Sequence, residues 1–242
     1  MKIYILILII PVQIIVAETF NTQWGFCRIY NENSSLGNNQ LIAIINNKIN
    51  KLDKLYGPIP VNNFDFYIYN KINQYDLKIN NQHWRWSLGI TYRNNKIIIK
   101  DPKFSHINFS KFEQVVEHEL NHLMINRIDV NNKIPRWFKE GFAMLIANES
   151  SLAHKIKVIK HLNAGTLYKL DDLYIFKNLT QYEYNLAYAQ SVLYVEALEN
   201  MYGKNLFLNI IENLKNNVNF TDAIYILTNK QTAQLEENIK EY

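Results

Sequence analysis

The sequence predicts an α+β fold, with a small mixed β-sheet in an N-terminal lobe followed by an α-helical C-terminal lobe. Three observations carry that expectation. The run "FDFYIYN" (64–70) alternates and is rich in aromatic residues, as a half-buried strand should be. "WSLGITYR" and "KIIIK" flank Asn94-Asn95, and asparagine tolerates the positive φ of a two-residue hairpin turn. From residue 110 onward, apolar residues recur at helical spacing between capping signals.

Each element can be justified in order. Residues 18–37 show no periodic pattern and are expected to be irregular. "NNQLIAIINNKINKLDKLYG" places apolar residues at 41, 42, 44, 45, 49, 52 and 55, a helical pattern ended by Gly57-Pro58. The strand and hairpin follow and finish at Asp101-Pro102. Ser110 and Glu113 form an S-x-x-E capping box that starts a helix over about 110–126. Ile134-Pro135 opens the next helix, through about Ala147, with proline in its favoured first turn. Residues 181–203 form a third long helix closed by Gly203, and "NLFLNIIENLK" and "FTDAIYIL" add two shorter ones. No internal repeat or low-complexity linker interrupts the chain. Residues 18–109 and 110–242 therefore read as two lobes of one domain.

Composition narrows the function classes. With 48% hydrophobic and 20% charged residues in 242, the chain can bury a sizeable core. Its net charge of +4 is small and the Lys/Arg are scattered, so no nucleic-acid partner is expected. The 34 asparagines, with many Ile and Lys, look like codon bias and receive no functional weight. Cys27 stands alone, which excludes an intramolecular disulfide and a C-x-x-C site and leaves a partly buried or free thiol. Lys2 precedes "IYILILIIPVQIIVA", and Ala17 ends the apolar run, so residues 1–17 read as a secretory signal peptide. An uncleaved anchor is the alternative. The expected location is exported, periplasmic or secreted. No later stretch approaches membrane-spanning length. The oligomeric state is not legible.

The chemistry is concentrated in "VVEHELNHLMINR" (115–127). His118-Glu119-Leu120-Asn121-His122 fits H-E-x-x-H. On a helix, residues four apart differ by about 40° in azimuth, so both imidazoles project from one face and can reach one ion. Neutral imidazoles at this spacing suit Zn2+. Glu119 lies about 100° round from His118, poorly placed as a ligand but able to hydrogen-bond a water. Chance predicts such a pentapeptide in roughly one chain in a hundred of this composition, so a solvated helix face is the competing reading. The surroundings weigh against it, because Val115, Val116, Leu120, Leu123, Met124 and Ile128 should bury the helix. Two histidines and a glutamate are costly there unless paired or metal-bound. "IPRWFKEGFAMLIA" supplies Glu140 on the next helix, where a short loop makes the two helices antiparallel neighbours. On this reading Glu117 and Asn121 are bystanders.

"VVEHELNHLMINR…IPRWFKEGFA" resembles the gluzincin metallopeptidases, and among them the peptidase MA-like group. The preceding sheet lobe, the later "Y-A-Q-S" helix (188–191) and the helical tail are similar too. The likeness covers roughly residues 60–240, although only the two zinc segments are specific. It implies a zincin-like fold, Zn2+ as cofactor and a peptide or protein substrate. Together with the hairpin's position, it implies a free edge on the strand over 96–100, where an extended peptide could pair. His118, His122 and Glu140 would be metal ligands, Glu119 the general base, and Tyr188 a candidate for steadying the transition state. Two departures matter. There is no G-x-M-E-N segment for binding an amino terminus, and Ile125 and Ile128 stand where metzincins place Gly and His. His83, His106, His154 and His161 match nothing in the pattern and read as surface or packing residues. Three functions compete: a zinc metallopeptidase, a catalytically silent zincin-fold binding protein in the cell envelope, and a helical interaction protein with an accidental motif.

Overall fold

Alternation at period two decides the sheet. In β3 (Phe64–Tyr69), Phe64, Phe66 and Ile68 join the main core, while Tyr67 and Tyr69 sit on the opposite face. β5 (Lys96–Lys100) repeats the pattern, with Ile97 and Ile99 in the main core and Ile98 beside Tyr69. The computed structural model describes residues 17–31, 34–57, 59–71, 87–129, 131–177 and 179–241. The expected signal segment over 1–16 and His83 lie outside the described residues.

Among the described residues the sheet has five strands in the order β1-β2-β3-β5-β4, with β1 spanning Ala17–Thr22, β2 Gly25–Asn31 and β4 Gly89–Tyr92. β1 and β2 form an antiparallel hairpin, β2–β3 and β3–β5 run parallel, and β4 returns antiparallel on β5. The sheet is mixed, as expected, but three expectations fail. Residues 17–31 form two strands rather than irregular chain. β1 buries little and is held by backbone pairing, whereas Cys27 and Ile29 of β2 are fully buried at a spacing of two. β5 is an interior strand, and among the described residues the edge strands are β1 and β4, the latter beside the site. The β4–β5 turn spans Arg93-Asn94-Asn95, and the positive φ falls on Arg93 (56°). That turn is fastened by α2 (Phe109–Ile128), whose Asn126 Nδ2 and Arg127 Nε donate to the carbonyls of Arg93 and Asn94 at 2.8 and 3.2 Å.

Eight helices are described: α1 (Asn38–Tyr56), α2, α3 (Arg136–Ile146), α4 (Leu152–Asn163), α5 (Gln181–Tyr202), α6 (Asn205–Lys215), α7 (Phe220–Thr228) and α8 (Thr232–Glu241). α4 and α8 were not expected. Val158 is the one buried residue of α4, and α8 buries only Leu235 and Ile239, so neither shows a full core-facing stripe. The start of α2 also differs. Asn108, not Ser110, is the N-cap, its side chain accepting from the Lys111 amide at 2.8 Å. No described helix is long and apolar enough to cross a membrane.

α2 is central, packing against α1, the β4–β5 hairpin and α3. Its back is polar where bystanders were expected. Glu117 is buried between Lys48 (3.1 Å) and Lys51 of α1, and Asn121 accepts a hydrogen bond from the buried Tyr56 hydroxyl. Both residues lock α2 to α1. α3 meets α5 through Gly141, where an added Cβ would stand 2.3 Å from the Ser191 carbonyl oxygen. Only glycine allows that approach.

Candidate metal centre

The helical spacing of four does what it should. His122 Nε2 stands 3.0 Å from His118 Nε2, and Glu140 Oε2 lies 3.1 Å from His122 Nε2 and 3.6 Å from His118 Nε2. Two nitrogens and a carboxylate oxygen thus converge, the one group among the described residues able to hold a metal with at least three such ligands. Ligand atoms at about 2.0–2.1 Å from a tetrahedral zinc would be about 3.4 Å apart. The three separations bracket that value, so the donor set fits the metal that its chemistry suggests.

Partners behind the donors fix their orientation. Glu149, just beyond α3, accepts from His118 Nδ1 at 2.8 Å, leaving Nε2 as the lone-pair nitrogen facing the centre. Lys111 holds the other Glu149 oxygen at 2.8 Å. Arg136 Nε donates to Glu140 Oε1 at 3.1 Å, which turns Oε2 towards the histidines. Burial alone would raise both carboxyls, but it is outweighed. His118 and Lys111 bring Glu149 down to about 2, and His122, His118 and Arg136 hold Glu140 well below its ordinary value.

Glu119 has a different environment. Burial raises its pKa despite opposing attraction from His118 and His122 and a hydrogen bond from Thr91. The Thr91 hydroxyl lies 2.8 Å from both Glu119 Oε2 and the Glu119 backbone oxygen. Two residues earlier on β4, a Cβ added to Gly89 would meet Glu119 Cγ and Oε1 at 2.8 Å. A carboxyl held by a hydroxyl and pressed against bare backbone, with a raised pKa, accepts a proton more readily than an ordinary carboxylate.

These groups line one cleft of about 980 Å³. His118, Glu119, His122, Glu140 and Tyr188, the residues singled out in the sequence, all face it. Tyr188 packs edge-on against Phe176, and burial raises its pKa so that the phenol keeps its proton. His154 lines the cleft too, rather than being only a packing residue, and its buried Nδ1 has no hydrogen-bond partner among the described residues. Gly89, Thr91, Arg136 and Glu149 were missed. Arg136 carried a signal, since it sits four residues before Glu140 on one helix face. Glu149, in a post-helical loop, carried none.

A mixed sheet followed by helices, with H-E-x-x-H on one helix and a converging Glu on the next, defines the zinc metallopeptidase fold. The model of the Peptidase MA superfamily matches residues 44–242, and the chain belongs to that superfamily. No curated protein sequence matches it. Among solved structures, a mutant two-domain M1 zinc metallopeptidase bound to L-tryptophan is similar, with a TM-score of 0.50 at 11% identity over 93% of this chain and 51% of that one. This chain therefore spans about half the length of that protein, and at such identity the likeness concerns the fold.

Proposed function

We propose that this protein is an exported zinc metallopeptidase hydrolysing peptide bonds, with His118, His122 and Glu140 as the ligands. The observation that carries this is the convergence of three donor atoms at 3.0, 3.1 and 3.6 Å beside a buried glutamate that is not part of the donor set. Zinc bound there would supply Lewis-acid polarisation of the scissile carbonyl and a more acidic water. Glu119 takes the proton of the attacking water at its carboxylate and delivers it to the departing amine. This general acid–base role is typically worth about 10²–10⁴-fold. The Thr91 hydroxyl fixes the Glu119 rotamer during both transfers. Tyr188, protonated by virtue of its burial, donates towards the oxyanion from the far wall of the cleft. The free edge of β4 over Gly89–Tyr92 receives an extended peptide by backbone pairing, the role first assigned to 96–100.

The deciding experiment combines metal analysis with turnover. Wild type should hold one zinc per chain and cleave members of a mixed peptide library, and His122→Ala should lose both. Glu119→Gln should keep its zinc and lose cleavage. A metal-free wild type sinks the assignment, and zinc-loaded protein that cleaves nothing leaves a silent binding protein. Localisation is checked by cell fractionation, with recovery in the cytoplasm alone counting against export.

A further inference from the structure

Helix α4 carries an apolar stripe that is largely exposed among the described residues. Leu152, Ile156, Ile159 and Leu162 are 72%, 59%, 54% and 37% exposed, and their spacing puts them on one side of the helix. The remaining large exposed apolar side chains among the described residues lie singly or in pairs on other elements, which is ordinary. Four on one helical face form a patch of the kind that marks an interaction site. The charge pattern is equally one-sided. Residues 150–170 contain Lys155, Lys157, Lys160 and Lys169 and no acidic residue. Lys160 borders the stripe, Lys155 lies within its arc between Leu162 and Ile159, and among the described residues the one acidic contact to these lysines from a neighbouring helix is Glu196, 3.8 Å from Lys155. The opposite flank of α4, through Ala153, His154 and Lys157, forms a wall of the catalytic cleft.

We propose that α4 docks onto an anionic membrane surface. The four apolar side chains enter the boundary of the acyl chains, the lysines meet the headgroups, and the cleft is held beside the bilayer. A convex apolar stripe with Lys155 within it and Lys160 at its border suits a deformable surface of opposite charge. Two copies of this chain meeting stripe to stripe would instead bring lysines against lysines.

The test uses the full chain. Cys27 is fully buried, so a polarity-sensitive fluorophore can be placed on Ile156→Cys, or on Val61→Cys (71% exposed) as a control elsewhere on the surface. Vesicles of phosphatidylcholine, with and without phosphatidylglycerol, carry brominated acyl chains as quenchers. The label at 156 should shift to the blue and be quenched on phosphatidylglycerol-containing vesicles, while the label at 61 should not. Lys155→Gln and Lys160→Gln should each weaken partitioning about fivefold, and Ile159→Ser about tenfold. A label at 156 as wet as that at 61 on vesicle-bound protein overturns the proposal, because the chain is then held by another part. A blue shift without vesicles that grows with protein concentration also overturns it and identifies a second copy as the occupant. None of these substitutions touches the donor set, so the result is independent of the peptidase reading.

Discussion

At the scale of single residues, the centre depends on groups outside the donor set. Gly89 is the sharpest case. A methyl group there would stand 2.8 Å from Glu119 Cγ and Oε1, so Glu119 must swing aside. Displacing a catalytic group by about 1 Å can cost about 10²-fold. Gly89→Ala should therefore lower kcat by about that factor with zinc content unchanged, as checked by peptide kinetics alongside metal analysis. Glu149 acts through His118 instead. Its 2.8 Å contact with Nδ1 selects the tautomer and fixes the ring plane. Glu149→Ala should weaken zinc binding by about 10–100-fold, read as a Kd by chelator competition, and an unchanged Kd would remove Glu149 from the centre.

At the scale of elements, two polar anchors set how strands and loops meet the helices. Arg127, near the end of α2, donates to the carbonyls of Asn94, Trp24 and Asn62 at 3.2, 3.1 and 2.7 Å, joining three loops to one helix. Burial lowers its pKa to about 10, so it remains charged at neutral pH. Arg127→Ala should cost about 2–4 kcal/mol by stranding buried acceptors. Lysine should rescue little, since a single ammonium cannot reproduce the fork. Urea denaturation checks both. Asp101 is the second anchor. Its carboxylate accepts from the amides of Ser35, Lys103 and Phe104, and from the Ser34 and Ser35 hydroxyls, tying the loop before α1 to the loop before α2. Burial pushes its pKa up, but these hydrogen bonds outweigh it and bring the value below 3.8. A carboxyl depressed on folding stabilises fully above its unfolded pKa, and that contribution is lost as pH falls through the folded value. Wild type should therefore lose stability relative to Asp101→Asn as pH drops below about 4. Parallel pH titrations of Tm measure the difference.

For the molecule as a whole, the metal should act as a staple. The ligands proposed for it come from two helices that the chain joins only by a short loop, so an ion bound there would stabilise the folded form by mass action. At a free zinc concentration 1,000-fold above Kd the gain is about 4 kcal/mol, which for a chain of this size corresponds to roughly 8–16 °C in Tm. Chelation should lower Tm by that amount, and calorimetry with His122→Ala as the control should show no such shift.

What the sequence determined by itself was whatever depends on short-range periodicity. The spacing of four put two histidines on one face, the alternation in 64–69 built β3, and the long helices fell close to their expected bounds. Glu140 was legible as well, because a short loop leaves two successive helices few ways to pack. Tertiary structure alone decided which strand owns the free edge beside the site, that residues 17–31 pair at all, and that Gly89, Thr91 and Glu149 support the centre. Their partners lie 28 to 31 residues away along the chain, and no local pattern encodes such a contact. It arises only when burial of the apolar faces brings β4, α2 and the loop after α3 together, and the polar groups trapped there must then satisfy one another.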